Sequence, residues 1–192
     1  MCEMEMKTND YLSVHMGCHD FLPDEIINDI LVNSTFVKDG KTMNPTHANK
    51  RICKIYEPPK QLELAEYISD FIIKKNKEIY NFNIKGIPTF DAPSRFEYQS
   101  VDGGKFDLHI DLGPGIYSTR KISYSIQLSD EDEYEGGDLV IFPDEITDEE
   151  KLSFRRKGTI VLFPSYRAHC VTPVTKGTRN AIVGWVHGDA FL

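Results

Sequence analysis

The sequence lacks the features that mark disulfide-stapled, secreted and membrane-inserted proteins. Its four cysteines, Cys2, Cys18, Cys53 and Cys170, form no CxxC pair, so a zinc knuckle and a disulfide framework are both disfavoured and we expect reduced thiols. No apolar run approaches the roughly 20 residues of a membrane helix, and the acidic first ten residues do not resemble a signal peptide. We therefore expect a cytoplasmic protein with no membrane partner.

Net positive charge is missing as well. Acidic residues number 30 and basic residues 22, which gives a formal net charge of −8. No broad basic surface is therefore available to neutralise phosphates, and a nucleic-acid partner is disfavoured. With 192 residues, of which 40% are hydrophobic and 27% charged, the chain suits one globular domain that acts as a monomer or a homodimer.

Helical periodicity is confined to the N-terminal half. One helix is predicted to begin at Asp24, and a longer one covers residues 60–80. We therefore expect residues 1–90 to be mostly helical support and residues 91–192 to be a β-rich catalytic core, because short β-type runs separated by turn residues begin at about residue 90. The predicted strands are residues 95–101, 105–111, 121–128, 138–142, 152–156, 159–163, 169–174 and 179–187.

This order of elements predicts a mainly β fold with N-terminal helices (α+β). The expected architecture is a double-stranded β-helix, a jelly-roll or cupin-like barrel with the helices packed on the outer face of one sheet. In the strand 121–128, alternation separates an apolar face from a polar one, and a polar interior suggests that the barrel holds a polar ligand. The apolar face consists of Ile122, Tyr124, Ile126 and Leu128, and the polar face of Ser123, Ser125 and Gln127.

A histidine and a carboxylate stand two residues apart in the predicted strand 105–111. Side chains alternate between the faces of a strand, so His109 and Asp111 project to the same side. Two imidazoles and one carboxylate, with the opposite positions open, are the ligand set of non-heme Fe(II) oxygenases. His169, in the stretch PSYRAHC, is the candidate for the second imidazole.

An arginine follows His169 by ten residues, at the start of the last predicted strand. Alternation places Arg179 and Trp185 on one face, which would look into the barrel. A buried guanidinium needs an anionic partner, and no carboxylate alternates near Arg179 on this strand. A ligand carboxylate held by both arms of the guanidinium would satisfy it.

These residues resemble the 2-oxoglutarate and Fe(II)-dependent dioxygenases, and within them the prolyl 4-hydroxylase-like group. The resemblance covers about half of the chain. Its motifs are HID at residues 109–111, RKISYSIQLSDEDEYEGGDLVIF from Arg120, and GTIVLFPSYRAHCVTPVTKGTRNAIVGW from Gly158.

The resemblance implies a role for each matching residue. His109, Asp111 and His169 would bind Fe(II) and form the catalytic centre, and Arg179 would bind the distal carboxylate of 2-oxoglutarate. The resemblance also places Gln127 where relatives have a second contact to that carboxylate, often a tyrosine. Further predicted cosubstrate contacts are Tyr98 and Ser125, and the predicted substrate contacts are Arg120 and Trp185.

The implied reaction is hydroxylation of a C–H bond, in the first place of a prolyl residue in a protein or peptide. It consumes 2-oxoglutarate and O₂ and releases succinate and CO₂, with ascorbate as a candidate reductant. Two alternatives stay open: the same chemistry on a free amino acid, small metabolite or nucleobase, and a non-catalytic jelly-roll binding module. A zinc hydrolase could share the metal ligands, but it would leave Arg179 unexplained. The glycine-rich residues 112–119 are expected to form a mobile lid.

Overall fold

The computed structural model describes residues 4–6, 15–40, 51–142 and 148–190. Its strands form two antiparallel sheets. Elements are numbered in chain order. The helices are α1 (Asp24–Asn33), α2 (Gln61–Ile79) and α3 (Asp148–Arg155). The strands are β1 (Met4–Met6), β2 (Met16–Cys18), β3 (Thr35–Asp39), β4 (Arg51–Ile52), β5 (Lys54–Glu57), β6 (Ile84–Gly86), β7 (Ser94–Gln99), β8 (Lys105–His109), β9 (Arg120–Gln127), β10 (Tyr134–Gly136), β11 (Leu139–Ile141), β12 (Ile160–Pro164), β13 (His169–Val171) and β14 (Val174–Gly188).

The larger sheet has the order β1-β2-β12-β9-β14-β7-β5-β3, and both β6 and β10 also pair with β14. The smaller sheet has the order β11-β13-β8-β4. Residues from both sheets line a common cavity, and this arrangement confirms the predicted jelly roll. Strands from the N-terminal half contribute to it, because β2 pairs with β12 and β5 pairs with β7.

The main hydrophobic core lies between the larger sheet and the two long helices. Ile27 and Ile30 of α1 and Ile68 of α2 pack against the apolar face of β9. This confirms the prediction that alternation in β9 turns one face toward the helices and leaves Ser123, Ser125 and Gln127 inside the barrel. The buried apolar residues of β9 and its neighbours in this core are Ile122, Tyr124, Ile126, Leu128, Ile160, Leu162, Ile182 and Val186.

Two sequence predictions about this fold are wrong. Residues 152–156, predicted as a strand, fall mostly within the helix α3, where Phe154 packs on Leu139 and Phe163. Five residues of mixed polarity are too few to distinguish the period of a helix, 3.6 residues, from that of a strand, two residues. Cys18 is disulfide-bonded rather than reduced, because spacing along the chain does not tell which sulfurs the fold brings together. Cys53 and Cys170 are free thiols, as predicted.

Three short 3-10 turns complete the described structure: Thr89–Asp91, Ser100–Asp102 and Gly115–Thr119. The last of these occupies most of the predicted lid, whose mobility stays a prediction. Among the helices of the described ranges, none has the length and apolar character needed to cross a membrane.

Candidate active site

Three side chains of the types that bind metal ions meet where the smaller sheet ends. His109 is the last residue of β8 and His169 the first of β13, and the two strands pair His109 directly with His169. Asp111 follows β8 by two residues, and its backbone N–H donates to the Ser165 carbonyl oxygen at 3.1 Å. One ligand atom from each of the three side chains lies within 4.8 Å of the others. This convergence is what strand alternation and the resemblance led us to expect.

Backbone carbonyls hold both imidazoles in the orientation that a metal needs. His109 Nδ1 donates to the Asp107 carbonyl oxygen at 2.8 Å, and His169 Nδ1 donates to the Arg167 carbonyl oxygen at 3.0 Å. Because a carbonyl only accepts, the proton sits on Nδ1 and the Nε2 lone pair is left for the ion. Both Nε2 atoms face Asp111, at 3.6 Å from Oδ1 and 3.4 Å from Oδ2 respectively.

The charge states of the ligands also suit a cation. Burial alone would raise the pKa of Asp111, but the His169 and His109 imidazoles and the Ser123 hydroxyl, which donates to Oδ2 at 2.7 Å, lower it below its usual value. Burial lowers the pKa of His169. The aspartate is therefore ionised and this imidazole is neutral at pH 7, the forms in which they bind metals.

The donor set fits Fe(II). Two imidazole nitrogens and one carboxylate are the non-heme iron set. Within the described ranges, this is the one cluster of three such groups close enough to share an ion. A cavity of about 40 Å³ opens beside it, lined from the larger sheet by Ser123, Ser125 and Arg179.

Arg179 supplies the positive charge at the other side of that cavity. It lies on β14 with 4% of its surface exposed, and its Nη2 lies 3.5 Å from Ser125 Oγ. No carboxylate of the described residues forms an ion pair with it. The guanidinium carbon lies 5.6 Å from the centre of the Tyr98 ring, on the neighbouring strand β7. A buried cation without an anionic partner is costly, so this end of the cavity fits a ligand carboxylate.

The structure places the other predicted cosubstrate residues as follows. Tyr98 and Ser125 line the same cavity as the metal ligands. Gln127 is the next residue after Ser125 on the interior face of β9, and it lines a smaller adjoining cavity together with Arg179. Their contacts with 2-oxoglutarate remain predictions.

Arg120 and Trp185, the predicted substrate residues, stack on each other. The Arg120 guanidinium carbon lies 3.4 Å from the centre of the Trp185 ring and 4.6 Å from that of Tyr117. Arg120 also approaches the His-Asp-His cluster, since its Nη1 lies 3.4 Å from the carbonyl oxygen of Asp111. The two residues therefore form one wall beside the metal cluster.

Sequence reasoning missed the group that holds this wall. Asp91 accepts from Arg120 Nε at 2.8 Å and from Nη2 at 3.0 Å. His187 lies 2.9 Å from the same carboxylate, and its other ring nitrogen lies 2.8 Å from Thr119 Oγ1. His187 shares strand parity with Arg179 and Trp185, and its contact with Asp91 gives it a structural role at the end of that strand. Asp91 lies in a turn outside every motif and gave no signal.

Comparison with known proteins agrees with the class that fold and site define, a metal-dependent oxygenase. Residues 96–187 match the 2OG-Fe(II) oxygenase superfamily. A PKHD-type hydroxylase of Prochlorococcus marinus (strain NATL1A) is 32% identical over 167 residues, which cover 84% of this chain and 71% of the relative. One of Synechococcus sp. (strain CC9605) is 40% identical over 89 residues, which cover 46% of this chain and 39% of the relative.

The chain therefore belongs to the 2-oxoglutarate and Fe(II)-dependent oxygenase superfamily. This confirms the predicted enzyme class, a 2-oxoglutarate-dependent dioxygenase, and with it Fe(II), 2-oxoglutarate and O₂ as the implied cofactors.

Solved structures confirm the fold. A prolyl-4-hydroxylase of Pseudomonas putida superimposes with a TM-score of 0.62 at 15% identity, covering 92% of this chain and 93% of that one. A prolyl hydroxylase of Trichoplax adhaerens, solved with a peptide fragment of hypoxia inducible factor, gives a TM-score of 0.63 at 20% identity and covers 91% of this chain and 83% of that one.

Proposed function

We propose that the protein hydroxylates a C–H bond of a prolyl residue in a protein or peptide, using 2-oxoglutarate and releasing succinate and CO₂. The observation that carries the proposal is one cavity with a His-Asp-His cluster on one side and, on the other, the guanidinium of Arg179, which pairs with no carboxylate of the described residues. A five-carbon keto diacid has a metal-chelating end and a distal carboxylate, and so matches both sides. The hydroxylase names of the relatives and the prolyl hydroxylases of the same fold support the reaction and the substrate class.

The side chains of the cavity divide the work of binding. His109, Asp111 and His169 would hold Fe(II), and Arg179 with Ser125 would hold the distal carboxylate of the cosubstrate. Iron and 2-oxoglutarate, when bound, supply the oxygen activation and the oxidising power for the C–H bond. The protein would supply orientation, and bound ligands would displace bulk water from the cavity.

Exposed apolar side chains near the wall formed by Arg120 and Trp185 suit a peptide substrate. Phe90 lies on the turn that carries Asp91 and is 63% exposed. The centre of its ring lies 5.5 Å from that of His187. Ile116 and Tyr117 are exposed on the turn before Arg120. Exposed apolar side chains beside this wall can bury the residues on each side of a target proline, whereas a small metabolite would leave them in water.

The test is a turnover assay with proline-containing peptides. We expect succinate to form only when Fe(II), 2-oxoglutarate and O₂ are all present, and the peptide to gain the mass of one oxygen atom. The matched control is the same peptide with alanine in place of proline, which should gain nothing. Oxygen incorporation into free amino acids or nucleobases, but not into peptides, would replace the prolyl substrate with the alternative one.

A second measurement separates a catalyst from an inert binding module. The purified protein should bind close to one equivalent of Fe(II) or Mn(II), and the Asp111→Ala variant should bind none while keeping its fold by circular dichroism. Stoichiometric metal without any uncoupled succinate production would leave the binding module as the better description.

A further inference from the structure

The orientation of the Gln127 side chain is fixed by its neighbours. Its Nε2 donates to the Ser129 carbonyl oxygen at 3.0 Å and to the Tyr134 hydroxyl oxygen at 3.2 Å. Turning the amide over would set Oε1 against the Ser129 carbonyl, two acceptors with no proton between them. Both amide protons are therefore engaged, and Oε1 is buried without a donor among the described residues.

A carboxylate ligand needs donors, so Gln127 is poorly suited to contact one. The amide atom of Gln127 that is left without a partner among the described residues is the acceptor Oε1, which would repel the distal carboxylate of 2-oxoglutarate. The position predicted from the resemblance is thus occupied by a side chain whose donors point elsewhere.

Tyr134 has the donor that Gln127 lacks. This residue lies on β10 with 2% of its surface exposed. Its hydroxyl oxygen accepts from Gln127, and no acceptor for its own proton occurs among the residues that the structure describes. Since a phenol can accept and donate at once, and buried tyrosine hydroxyls usually find a partner, this proton is available to a ligand.

Tyr134 and Arg179 line the same small cavity, next to the cavity beside the His-Asp-His cluster. Tyr134, Gln127 and Arg179 line a small cavity of about 10 Å³ that shares Ser125, Leu139 and Arg179 with the cavity of the metal cluster. A Cβ added to Gly137 would lie 3.2 Å from Arg179 Cδ and 3.4 Å from Tyr134 Cδ2. The tyrosine ring and the arginine stem therefore flank the same glycine.

Arg155 holds the Tyr134 ring in place. Its guanidinium carbon lies 4.2 Å from the ring centre. The guanidinium donates to the carbonyl oxygens of Glu131, Tyr134 and Gly136 and to Asp138 Oδ1. The four hydrogens of its two terminal nitrogens are thus used within this turn, so these nitrogens hold the turn around Tyr134 and are not free for a ligand. A donor fixed from two sides loses little entropy on binding.

We propose that the Tyr134 hydroxyl donates a hydrogen bond to the distal carboxylate of 2-oxoglutarate beside Arg179, and that Gln127 is a positioning residue that fixes this hydroxyl. The inference rests on the proposed cosubstrate. It adds a specificity-determining residue from β10, a strand that the sequence did not predict. The contact expected at position 127 is supplied in space by a tyrosine seven residues later.

The test is a binding titration without turnover. The protein loaded with Mn(II) under nitrogen is titrated with 2-oxoglutarate, and binding is followed by the fluorescence of Trp185, the single tryptophan of the chain, which lines the cavity. The second ligand is 2-oxopentanoate, which keeps the chelating end but has no distal carboxylate. Tyr134→Phe should raise the Kd for 2-oxoglutarate by about tenfold or more and leave that for 2-oxopentanoate within about twofold.

Matched controls separate a hydrogen bond from a packing effect. Tyr80→Phe removes another tyrosine hydroxyl, which donates to the Leu162 carbonyl oxygen at 3.1 Å on the outer-core side of the larger sheet, and should change neither Kd. Gln127→Leu should weaken 2-oxoglutarate binding in the wild-type background and have no further effect on top of Tyr134→Phe. Additive effects of the two substitutions would overturn the positioning role of Gln127.

The two proposals fail differently. If the wild-type protein does not bind 2-oxoglutarate, the proposed function falls and the inference with it. If the wild type binds it and Tyr134→Phe binds it equally well, only the inference falls. A crystal structure of the wild-type protein with Mn(II) and 2-oxoglutarate needs no variant to fold. It should place Tyr134 Oη within about 3.0 Å of the distal carboxylate, and a separation beyond about 4 Å would refute the contact.

Discussion

Asp91→Asn tests whether the wall formed by Arg120 and Trp185 depends on one carboxylate. Asp91 is the anion shared by Arg120 and His187, and its side chain is only 14% exposed. The substitution keeps the shape of the side chain and one acceptor oxygen but removes the charge. The Arg120 guanidinium, 9% exposed, would then be left buried without an anionic partner.

The expected loss of stability is about 2 kcal/mol. Removing one partner of a fully buried pair costs about 3–5 kcal/mol. The cost is smaller here because asparagine still accepts one hydrogen bond and Arg120 keeps its stacking on Trp185 at 3.4 Å. For a chain of this size, about 2 kcal/mol corresponds to a fall in Tm of roughly 4–8 °C.

The pH dependence of this loss has a definite sign. Burial alone raises the pKa of Asp91, but hydrogen bonds from His187 and Arg120 lower it below the unfolded value. A carboxyl whose pKa is depressed on folding stabilises the protein above the unfolded pKa of about 3.9, and this stabilisation is lost as the pH falls through the folded pKa. The difference between wild type and Asp91→Asn should therefore be full above about pH 5 and shrink below about pH 4.

Urea unfolding between pH 3 and 8 measures the effect. The matched control is Asp20→Asn, because Asp20 also accepts two hydrogen bonds from one arginine, Arg156, but with side chains that are 73% and 54% exposed. Exposed pairs contribute little, so this control should stay within about 0.5 kcal/mol of wild type. Equal small losses in the two variants would refute the claim that burial makes the Asp91 pair matter.

Three further predictions follow from the site and from a buried thiol. Ser123→Ala removes the hydroxyl that holds Asp111 and should weaken Mn(II) binding by about 10–100-fold in a calorimetric titration; unchanged affinity would contradict the orienting role of this bond. Arg179→Met should raise the Kd for 2-oxoglutarate, measured by Trp185 fluorescence, by at least about 30-fold. It should not lower the free energy of unfolding of the ligand-free protein, because it removes a buried charge that pairs with no carboxylate of the described residues. Burial raises the pKa of Cys53 to about 11, so roughly 0.1% of the thiol is ionised at pH 8. Alkylation of Cys53 should therefore be at least about 100-fold slower than that of a free cysteine. Rapid labelling of Cys53 in the folded protein would show that the thiol is not buried in solution.

Strand parity accounts for most of the site that could be predicted. A strand repeats every two residues without drift, so His109 and Asp111 share a face, and so do Arg179 and Trp185. These statements need only local sequence. That His169 lies across from His109 depends on the pairing of β8 with β13, which sequence spacing does not fix and which the resemblance supplied.

The parts that were missed depend on contacts between distant segments. Asp91 reaches Arg120 from a turn 29 residues away, and nothing in its neighbourhood distinguishes it from other turn aspartates. The donor pattern of Gln127 depends on where the Ser129 carbonyl points, a backbone property that its residue type does not reveal. The helix α3 was predicted as a strand because five residues carry too little periodicity.

The unequal length of the strands around the cavity has a consequence for how the site opens. β14 runs for 15 residues and pairs with β6, β7, β9 and β10, whereas β13 has three residues and meets β8 in an irregular register. Amide hydrogen exchange should therefore be slowest around Arg179 on β14 and faster around His169 on β13, since longer strand pairings open at higher free energy. An incoming ion would then enter by a local fluctuation of the small sheet, while the anchor for the organic acid stays assembled.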